Sequence, residues 1–386
     1  MPWRTVSMSE ERMRFVIQAS EAGIRMTEVC RAAGISRQAG YKWLRRYQQG
    51  GAAAVLTEQS RRPHTIPNQA PPAVVEALKA VRQEKPDWGV RKLAYLLEKR
   101  SPDLPKVSRS TLQRILNREG LIDDRDRQSI ACQRFERSEP NELWQMDFKG
   151  PPGFNQGIGP LSIQDDHSRY LLALQKVPTN DTASVKSALE ATFLESGMPE
   201  WLLMDHGTPW YDCMGPWGWT ELTVWILRQG VRITFSRFCH PQTQGKVERM
   251  HGALQRALWK RHGRADQQAW LDAFRQEYNH ERLHEGIGMA LPASRWIKSP
   301  RTYQPVTADW TYPPGWQTVR LAGQGQFSHH GRRWEVSRAL RRQLVGLQSS
   351  DRRIWVYYCN MPLREIDLER RTNTPLPGNP FRLLQC

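Results

Sequence analysis

The chain has 386 residues, enough for several domains, and its 56 Lys and Arg outnumber 39 Asp and Glu to give a net charge of +17. The charge lies at the ends: residues 1–140 carry +10, residues 141–298 zero and residues 299–386 +7. Basic flanks around a neutral middle favour a polyanionic partner such as nucleic acid, because Lys and Arg that neutralise phosphates release counterions.

Cysteine usage and hydropathy narrow the class of protein further. The six cysteines are scattered and none forms a Cys-x-x-Cys pair, which argues against a zinc module and a disulfide scaffold and predicts a reducing cytosol. We expect no leader peptide and no membrane segment, since no apolar run approaches the ~18 residues that a membrane helix needs.

The first predicted element pair is a helix-turn-helix unit within residues 1–50. In "MTEVCRAAGISRQAGYKWLRRYQQG" a helix ends near Ala33, Gly34 supplies the turn, and Ser36 caps a second helix that runs to about Gln49. We expect Tyr41 and Leu44 to face inward. The polar and basic positions of the second helix are then left to meet DNA, as in a recognition helix; they are Arg37, Gln38, Lys42, Arg45 and Arg46. An ordinary basic helical hairpin is the alternative.

A Gly- and Pro-containing linker, residues 51–72, leads to a second predicted helix-turn-helix unit, residues 73–125. Its last helix starts after Ser108 as N-cap and closes at Gly120, which places Arg109 at the start of a second DNA-facing helix. Residues 126–140 read as a charged connector.

Strands alternate with helices over residues 141–298, which predicts an α/β domain. Past Pro313 short β-rich pieces predict a small β-barrel, assigned to residues 310–375. The predicted fold class is therefore multi-domain: all-α helix-turn-helix modules, a central α/β core and a C-terminal β-barrel.

Two aspartates stand out in otherwise apolar strands of the middle domain. Strand alternation in "LWQMDFKG" places Asp147 on the face opposite Trp144 and Met146. The run "WLLM" ends in Asp205, followed by a turn at Gly207. An unpaired carboxylate in such a strand is costly, and α/β folds place ligands at the carboxyl ends of strands.

A third acid, Glu248, lies among bases in "HPQTQGKVERMHGAL". On a helical wheel it borders the apolar stripe of Val247 and Met250, beside His251. Arg249 and Arg256 point outward, where we expect both to contact DNA. A surface ion pair there would contribute only ~0–1 kcal/mol and would not account for the two strand aspartates.

Three converging carboxylates repel one another unless divalent cations neutralise them. Hard oxygen ligands suit Mg²⁺ or Mn²⁺, and two such ions suit in-line phosphoryl transfer. Asp147, Asp205 and Glu248 are therefore predicted to be both catalytic residues and metal ligands. No serine or cysteine with a triad context is evident as an alternative nucleophile.

The motifs "WQMDFKG", "DDHSRY", "LLMDHGTPW" and "HPQTQGKVERMHGAL" resemble the DDE-type transposases of bacterial insertion sequences, in the retroviral-integrase-like, RNase H-fold superfamily. The resemblance extends over nearly the whole chain. It implies that Asp147, Asp205 and Glu248 form the acidic triad and that Lys246 and Arg249 contact DNA.

The same resemblance implies the reaction and the partners. The reaction is cleavage at transposon ends and joining of the freed 3′-hydroxyls to target DNA. The implied partners are double-stranded end and target DNA and further copies of the chain assembled on that DNA. We expect a bacterial, cytoplasmic, nucleoid-associated protein.

Two features depart from the family pattern. Asp205 and Glu248 are separated by 42 residues, against roughly 35 implied by the resemblance for such metal-dependent enzymes. The excess is assigned to "WYDCMGPWGWTEL", residues 210–222, which either positions DNA or packs, with packing favoured. His206 stands where many relatives have Asn, and we interpret it as a hydrogen-bonding loop residue rather than a substrate contact.

Other polar residues compete for these roles. Asp165 and Asp166 are rival ligands, although Asp166 is interpreted as pairing with Arg169 or shaping the turn. His167 is interpreted as structural, and His329 and His330 are not interpreted as a metal site. Two alternative functions remain at this point: a catalytically inert helix-turn-helix regulator, and a nuclease that cuts RNA–DNA hybrids or junctions without joining strands.

Overall fold

The computed structural model describes residues 8–57, 70–122, 136–150, 158–213, 218–236, 245–261, 267–305 and 308–376. The chain divides into two compact units, Met1–Gln69 and Ala70–Cys386. Most of the predicted linker and connector, and the motif residues 240–244, lie outside the described residues. None of the described helices combines the length and apolar composition needed to cross a bilayer.

The described α-helices are α1 (Met8–Ala19), α2 (Met26–Ala32), α3 (Arg37–Leu56), α4 (Pro72–Glu84), α5 (Val90–Arg100), α6 (Arg109–Arg118), α7 (Thr182–Ser196), α8 (Glu221–Arg228), α9 (Gly245–Lys260) and α10 (Gln268–His280). The described strands are β1 (Leu143–Phe148), β2 (Leu161–Asp165), β3 (Leu171–Gln175), β4 (Trp201–Met204), β5 (Arg232–Phe235), β6 (Gln317–Arg320), β7 (Gln326–His329), β8 (Arg332–Glu335), β9 (Leu344–Ser349), β10 (Arg353–Tyr358), β11 (Met361–Asp367) and β12 (Thr372–Pro375).

The first unit has the predicted helix-turn-helix form. Gly34 takes a positive φ of 63° between α2 and α3, and the Ser36 hydroxyl caps α3 by accepting the backbone N–H of Ala39 at 3.2 Å. Gly50 and Gly51 interrupt the helical dihedrals near the predicted end of this helix. The chain then continues as a helical turn to Leu56, so part of the predicted linker belongs to this unit.

The prediction that Tyr41 faces inward is wrong, because its side chain is 51% exposed. The inward position belongs to Gly40, which is buried so tightly that a Cβ there would lie 2.4 Å from the Sγ of Cys30 and 2.9 Å from the ring of Phe15. The core of the unit is completed by Trp43 and Tyr47, which pack partly buried against it.

The second unit begins with α4, α5 and α6, which enclose a core of Leu78, Leu93 and Leu116. The predicted signals at both ends of α6 are confirmed. Ser108 accepts the backbone N–H of Thr111 at 3.2 Å, and Gly120 takes a positive φ of 69° after the helix.

The central α/β layer is a five-stranded sheet of order β3-β2-β1-β4-β5. The pairs β1–β2 and β2–β3 are antiparallel, whereas the pairs β1–β4 and β4–β5 are parallel. Trp144 and Met146 face the cluster that contains α7 and α8. Helices α9 and α10 pack with β3 in another cluster, which contains Met250, Leu254 and Phe274. The alternation predicted for β1 therefore separates an apolar face from the face that carries Gln145 and Asp147.

The predicted closed barrel at the C-terminus is not confirmed. The described strands form an open antiparallel sheet of order β12-β11-β10-β9-β6 and a separate two-stranded ribbon, β7-β8. Side chains, not a backbone ladder, join the ribbon to the sheet: Arg364 donates to the carbonyl of Val336, and Asn373 donates to that of Glu335. Within the described residues the edge strands β6 and β12 each pair with one neighbour only, so the sheet is not closed into a barrel.

A buried charge cluster joins the turn between α4 and α5 to the ends of α9 and α10. Asp87 is 4% exposed and accepts from the guanidinium groups of Arg261 and Arg282, the latter at 2.6 Å. Arg261 also pairs with Glu277 of α10. These cations hold the pKa of the Asp87 carboxyl below its usual value against the opposing effect of burial.

The substitution Asp87→Asn is predicted to lower the free energy of unfolding by about 3–5 kcal/mol, because it leaves the buried guanidinium of Arg282 without its nearest counter-charge and removes one of the two carboxylates that bind Arg261. Urea unfolding followed by tryptophan fluorescence measures the change. The control is Glu84→Gln, whose pair with Arg100 is about half exposed and is expected to contribute less than about 1 kcal/mol. Equal effects of the two substitutions would contradict the prediction.

A pH effect on stability is predicted from His284, whose Nδ1 accepts the backbone N–H of Gly286 at 3.1 Å. Burial lowers the pKa of His284 to about 3. Below about pH 6.5 the unfolded chain therefore binds a proton at this imidazole, whereas the folded chain does not. This difference alone lowers the free energy of unfolding by roughly 1.5 kcal/mol between pH 6.5 and pH 5.

The substitution His284→Asn is expected to keep an acceptor for Gly286 while removing this titration. Its free energy of unfolding should therefore fall less than that of the wild type between pH 6.5 and pH 5. Above pH 7.5, where neither state takes up this proton, the difference between the two proteins should stay constant. Parallel curves down to pH 5 would disprove the assignment.

Candidate active site

Two of the predicted acids stand at equivalent places on neighbouring strands. The parallel register of β1 and β4 pairs Leu143 with Trp201 and Gln145 with Leu203. Asp147 and Asp205 each lie two residues beyond the last of these pairs. Parallel pairing of two short apolar strands thus brings both aspartates to the same end of the sheet.

Glu248 lies in the first turns of α9, whose buried stripe of Val247, Met250 and Leu254 packs on the core. The helical faces predicted for α9 are confirmed, because the side chains of Glu248, Arg249 and Arg256 are exposed beside this buried stripe. Helix α9 contacts β1 and β2, so it lies against the face that carries Asp147.

The charges of the other two acids act on Asp147. The pKa of Asp147 is raised to about 7, first by burial and then by the negative charges of Asp205 and Glu248. Desolvation also raises the pKa of Glu248, although its side chain reaches solvent. A site of this kind favours a proton or a cation near Asp147, because ionising all three carboxylates without one is costly.

The turn after β4 holds Asp205. Its Oδ1 accepts the backbone N–H of Gly207 at 2.9 Å and the indole N–H of Trp210 at 2.7 Å. A Cβ at Gly207 would lie 3.0 Å from this oxygen, so the turn that Gly207 was predicted to supply also requires its lack of a side chain. The second carboxylate oxygen, Oδ2, receives no hydrogen bond from the described residues.

Two buried residues beside Asp147 were not predicted from the sequence. Ser162, its cross-strand partner, donates from Oγ to the backbone carbonyl of Asp147 at 2.9 Å. The hydroxyl has one proton, so it must accept from Nε2 of His251, 2.6 Å away. Nδ1 of His251, 3.7 Å from Oδ2 of Asp147, is then unprotonated, and burial lowers the His251 pKa to about 3, which keeps the ring neutral.

Signals for both residues were present in the sequence. His251 follows Glu248 by three positions at the border of the apolar stripe, and Ser162 is a small polar residue between the buried Leu161 and Ile163. Neither signal is specific without the register that joins β1 to β2. In the part of the chain that the structure describes, no three His, Cys, Asp or Glu side chains are arranged as ligands of one metal ion.

The rival acids have internal partners. Asp165 accepts from the backbone N–H and hydroxyl of Ser168 and the backbone N–H of Asn141. Asp166 is fully buried and accepts from Lys246 at 2.5 Å and from Gln145 at 2.7 Å. Both therefore shape the β2–β3 turn.

Of the two roles predicted for Asp166, shaping the turn is observed and pairing with Arg169 is not, since Arg169 pairs with Glu136 at 2.7 Å. The side chain of Lys246, predicted to contact DNA, is only 13% exposed because it reaches inward to Asp166. His167 is structural as predicted: its Nδ1 donates to the carbonyl of Arg137 at 2.8 Å.

The remaining DNA-contact candidates differ in exposure. The side chains of Arg37, Gln38, Lys42, Arg45 and Arg109 are exposed. Arg46 is half-buried, with its guanidinium 4.8 Å from the centre of the Trp43 ring. Its charge is thus directed to an aromatic face of the same unit.

The aromatic stretch 210–222 packs in its described part, as favoured from the sequence. Trp210 is 1% exposed and stacks on Phe148 with ring centres 5.3 Å apart. The His206 ring lies 4.5 Å from Tyr211 and 5.6 Å from Phe235, so it belongs to the same aromatic cluster. Residues 214–217 of this stretch lie outside the described residues.

Three family models match parts of this chain. Residues 11–64 match a helix-turn-helix domain, residues 39–116 a homeodomain-like domain, and residues 229–292, which include Glu248, an integrase core domain.

Among solved structures, the chain is similar to the simian T-cell lymphotropic virus intasome in complex with the PP2A regulatory subunit B56 gamma (16% identity, 74% of this chain, 97% of that chain, TM-score 0.37). It is also similar to the catalytic core domain of BIV integrase (21%, 40% and 92%, TM-score 0.31) and to the HTLV-2 integrase catalytic core domain in complex with magnesium (14%, 41% and 97%, TM-score 0.33).

The family models cover the helical units and α9, and α9 contacts β1, the strand that carries Asp147. The chain therefore carries helix-turn-helix domains and an integrase core domain, a combination consistent with a DDE transposase- or integrase-like protein.

Proposed function

We propose that this protein is a DNA transposase that cleaves at transposon ends and joins the freed 3′-hydroxyls to target DNA. The observation that carries the proposal is the placement of Asp147 and Asp205 at equivalent positions of two parallel strands, with Glu248 on the helix that packs against β1. Residues 141–298 would perform the chemistry, and residues 1–50 and 73–125 would bind DNA.

Asp147, Asp205 and Glu248 would hold two Mg²⁺ or Mn²⁺ ions. Their donor chemistry fits, because carboxylate oxygens are the ligands these hard cations prefer. The raised pKa of Asp147, caused by burial and by the other two carboxylates, fits as well, since a cation would relieve the same repulsion. When bound, a pair of such ions supplies charge stabilisation for in-line phosphoryl transfer.

The surrounding residues would act by position. Gly207 and Trp210 donate hydrogen bonds to Oδ1 of Asp205, so Oδ2 is the oxygen that would bind a ligand. Ser162 and His251 would fix the backbone of Asp147 between β2 and α9. A rigid carboxylate cage of this type orients the scissile phosphodiester without a covalent protein intermediate.

The integrase core match disfavours the inert helix-turn-helix regulator. The hydrolytic nuclease is disfavoured by two helix-turn-helix units, which are typical of proteins that read duplex sequence. The proposed partners are double-stranded DNA and further copies of this chain, assembled where two element ends meet. Such a protein would act in the bacterial cytoplasm, at the nucleoid.

The central prediction is that Asp147→Asn, Asp205→Asn and Glu248→Gln each lower end cleavage and strand joining by at least about 100-fold, because each removes a charge that the transition state needs. The substrate is a plasmid that carries the DNA flanking the coding region. Cleaved and joined products are separated on denaturing gels in the presence of Mg²⁺.

The matched control is Asp272→Asn, an exposed carboxylate of α10 that accepts only from Gln268 among the described residues and should keep full activity. Joining by Asp205→Asn at the wild-type rate would overturn the proposed mechanism. Cleavage without any joined product, from wild-type protein, would support the nuclease instead.

Metal binding is predicted to depend on the same carboxylates before any DNA is present. Calorimetric titration with Mn²⁺ should give binding to the wild type and binding weakened at least about tenfold in Asp147→Asn, since one charged ligand is lost. Asp272→Asn should bind as the wild type does. Unchanged Mn²⁺ affinity in Asp147→Asn would exclude this residue as a ligand.

A further inference from the structure

We propose that Tyr41 is a specificity-determining residue of the N-terminal helix-turn-helix unit, whose ring contacts the 5-methyl group of a thymine in the major groove. The inference rests on the proposed function, because it takes α3 as a helix that reads DNA. It assigns base reading to a residue that sequence periodicity placed in the core.

The rotation of α3 about its axis is set by Gly40. Since Gly40 has room for no Cβ against Cys30 and Phe15, the helix must keep this position against the core. At 100° per residue, Tyr41 and Arg45 then lie near the middle of the exposed arc. The side chains of Gln38 and Lys42 flank them on the same exposed arc.

The helix leaves the Tyr41 ring outside although it buries its other aromatic residues. Trp43 and Tyr47 pack against the core, and the guanidinium groups of Arg12 and Arg46 lie 4.5 and 4.8 Å from the centre of the Trp43 ring. The Tyr41 side chain, 51% exposed, makes no hydrogen bond, ring stack or cation–π pair with the residues that the structure describes. Its apolar surface is therefore available to a partner.

Position and charge favour DNA as that partner. Tyr41 is the fifth residue of α3, in the N-terminal half that a recognition helix directs to base edges. Arg37, Lys42 and Arg45 surround it with positive charge suited to the phosphates on both sides of a groove. Among bases only thymine presents a methyl group in the major groove, and apolar side chains read it.

The test begins with selection of a random-sequence duplex library on full-length wild-type protein, Tyr41→Ala and Tyr41→Phe. Wild type should enrich a motif that contains at least one strongly preferred thymine. Tyr41→Ala should lose that preference, with the ratio of specific to non-specific affinity falling about tenfold. Tyr41→Phe should keep it, because the ring is retained.

A second measurement removes only the methyl group. Replacing the preferred thymine by uracil in the selected duplex should weaken wild-type binding about threefold to tenfold and leave Tyr41→Ala binding unchanged, since the two changes remove one contact. The uracil duplex tests the contact in unaltered protein, so the result does not depend on how the variant folds.

Lys42→Ala is the matched control on the same exposed arc. It should weaken binding to all sequences alike and reduce the slope of log affinity against log salt by about one, without changing the motif. Tyr41→Ala should show the converse: an altered motif and an unchanged salt slope.

Other outcomes would overturn the inference. An unchanged motif in Tyr41→Ala, or equal wild-type affinity for thymine and uracil duplexes, would exclude base reading by Tyr41. If Tyr41→Ala keeps the motif but dissociates an oligomer in light scattering, the residue belongs to a protein interface. If the wild-type protein selects no motif, the N-terminal unit does not read DNA sequence and the inference is wrong. The proposed transposase activity is tested separately, by the loss of strand joining in Asp205→Asn.

Discussion

A carboxylate inside a protein must accept hydrogen bonds or pair with a cation, and this constraint organises the core of the second unit. Asp87 pairs with two guanidinium groups, and Asp166 binds the Lys246 ammonium and the side-chain amide of Gln145. Asp165 is met by backbone and hydroxyl donors at the head of its turn. Asp147 differs, because burial and the charges of Asp205 and Glu248 raise its pKa to about 7 despite the opposing charge of Lys149, and the imidazole 3.7 Å away is neutral. The protein thus supplies donors or cations that stabilise its structural acids, whereas the charge of Asp147 is only partly compensated by the described residues.

Helix α9 is the element on which these arrangements converge. Near its N-terminus it carries the cation that neutralises Asp166, the exposed Glu248, and the imidazole that binds Ser162. Immediately after its C-terminus, Arg261 binds Asp87. A shift of α9 would therefore disturb the β2–β3 turn, the surroundings of Asp147 and the α4–α5 turn together. Of the two basic residues beside Glu248, Lys246 reaches inward and anchors the helix, whereas Arg249 is exposed.

Features that depend on local periodicity and capping were predictable from the sequence. The alternation that isolates Asp147 from Trp144 and the caps at Ser36 and Ser108 are examples. Features set by contacts distant in sequence were not. Tyr41 lies outside because a neighbouring glycine fills the core position against Cys30, and Lys246 turns inward to an acid 80 residues earlier. The open C-terminal sheet likewise depends on which strands pair, with β6 joining β9 and β7 joining only β8 among the described strands, and no strand pattern encodes that choice.

The Asp87 cluster also bears on how DNA reading could be coupled to chemistry. Asp87 lies just before α5, in the helical module whose last helix, α6, presents Arg109 to solvent, whereas Arg261 follows the helix that carries Glu248. Moving this module relative to α9 would break a buried ion pair, at a cost of about 3–5 kcal/mol. Arrangements in which this pair is broken are then populated below about 1%, so the module and the helix keep one relative placement in nearly all molecules. If α6 binds a duplex, as proposed above, that duplex would be held at a constant distance from Glu248.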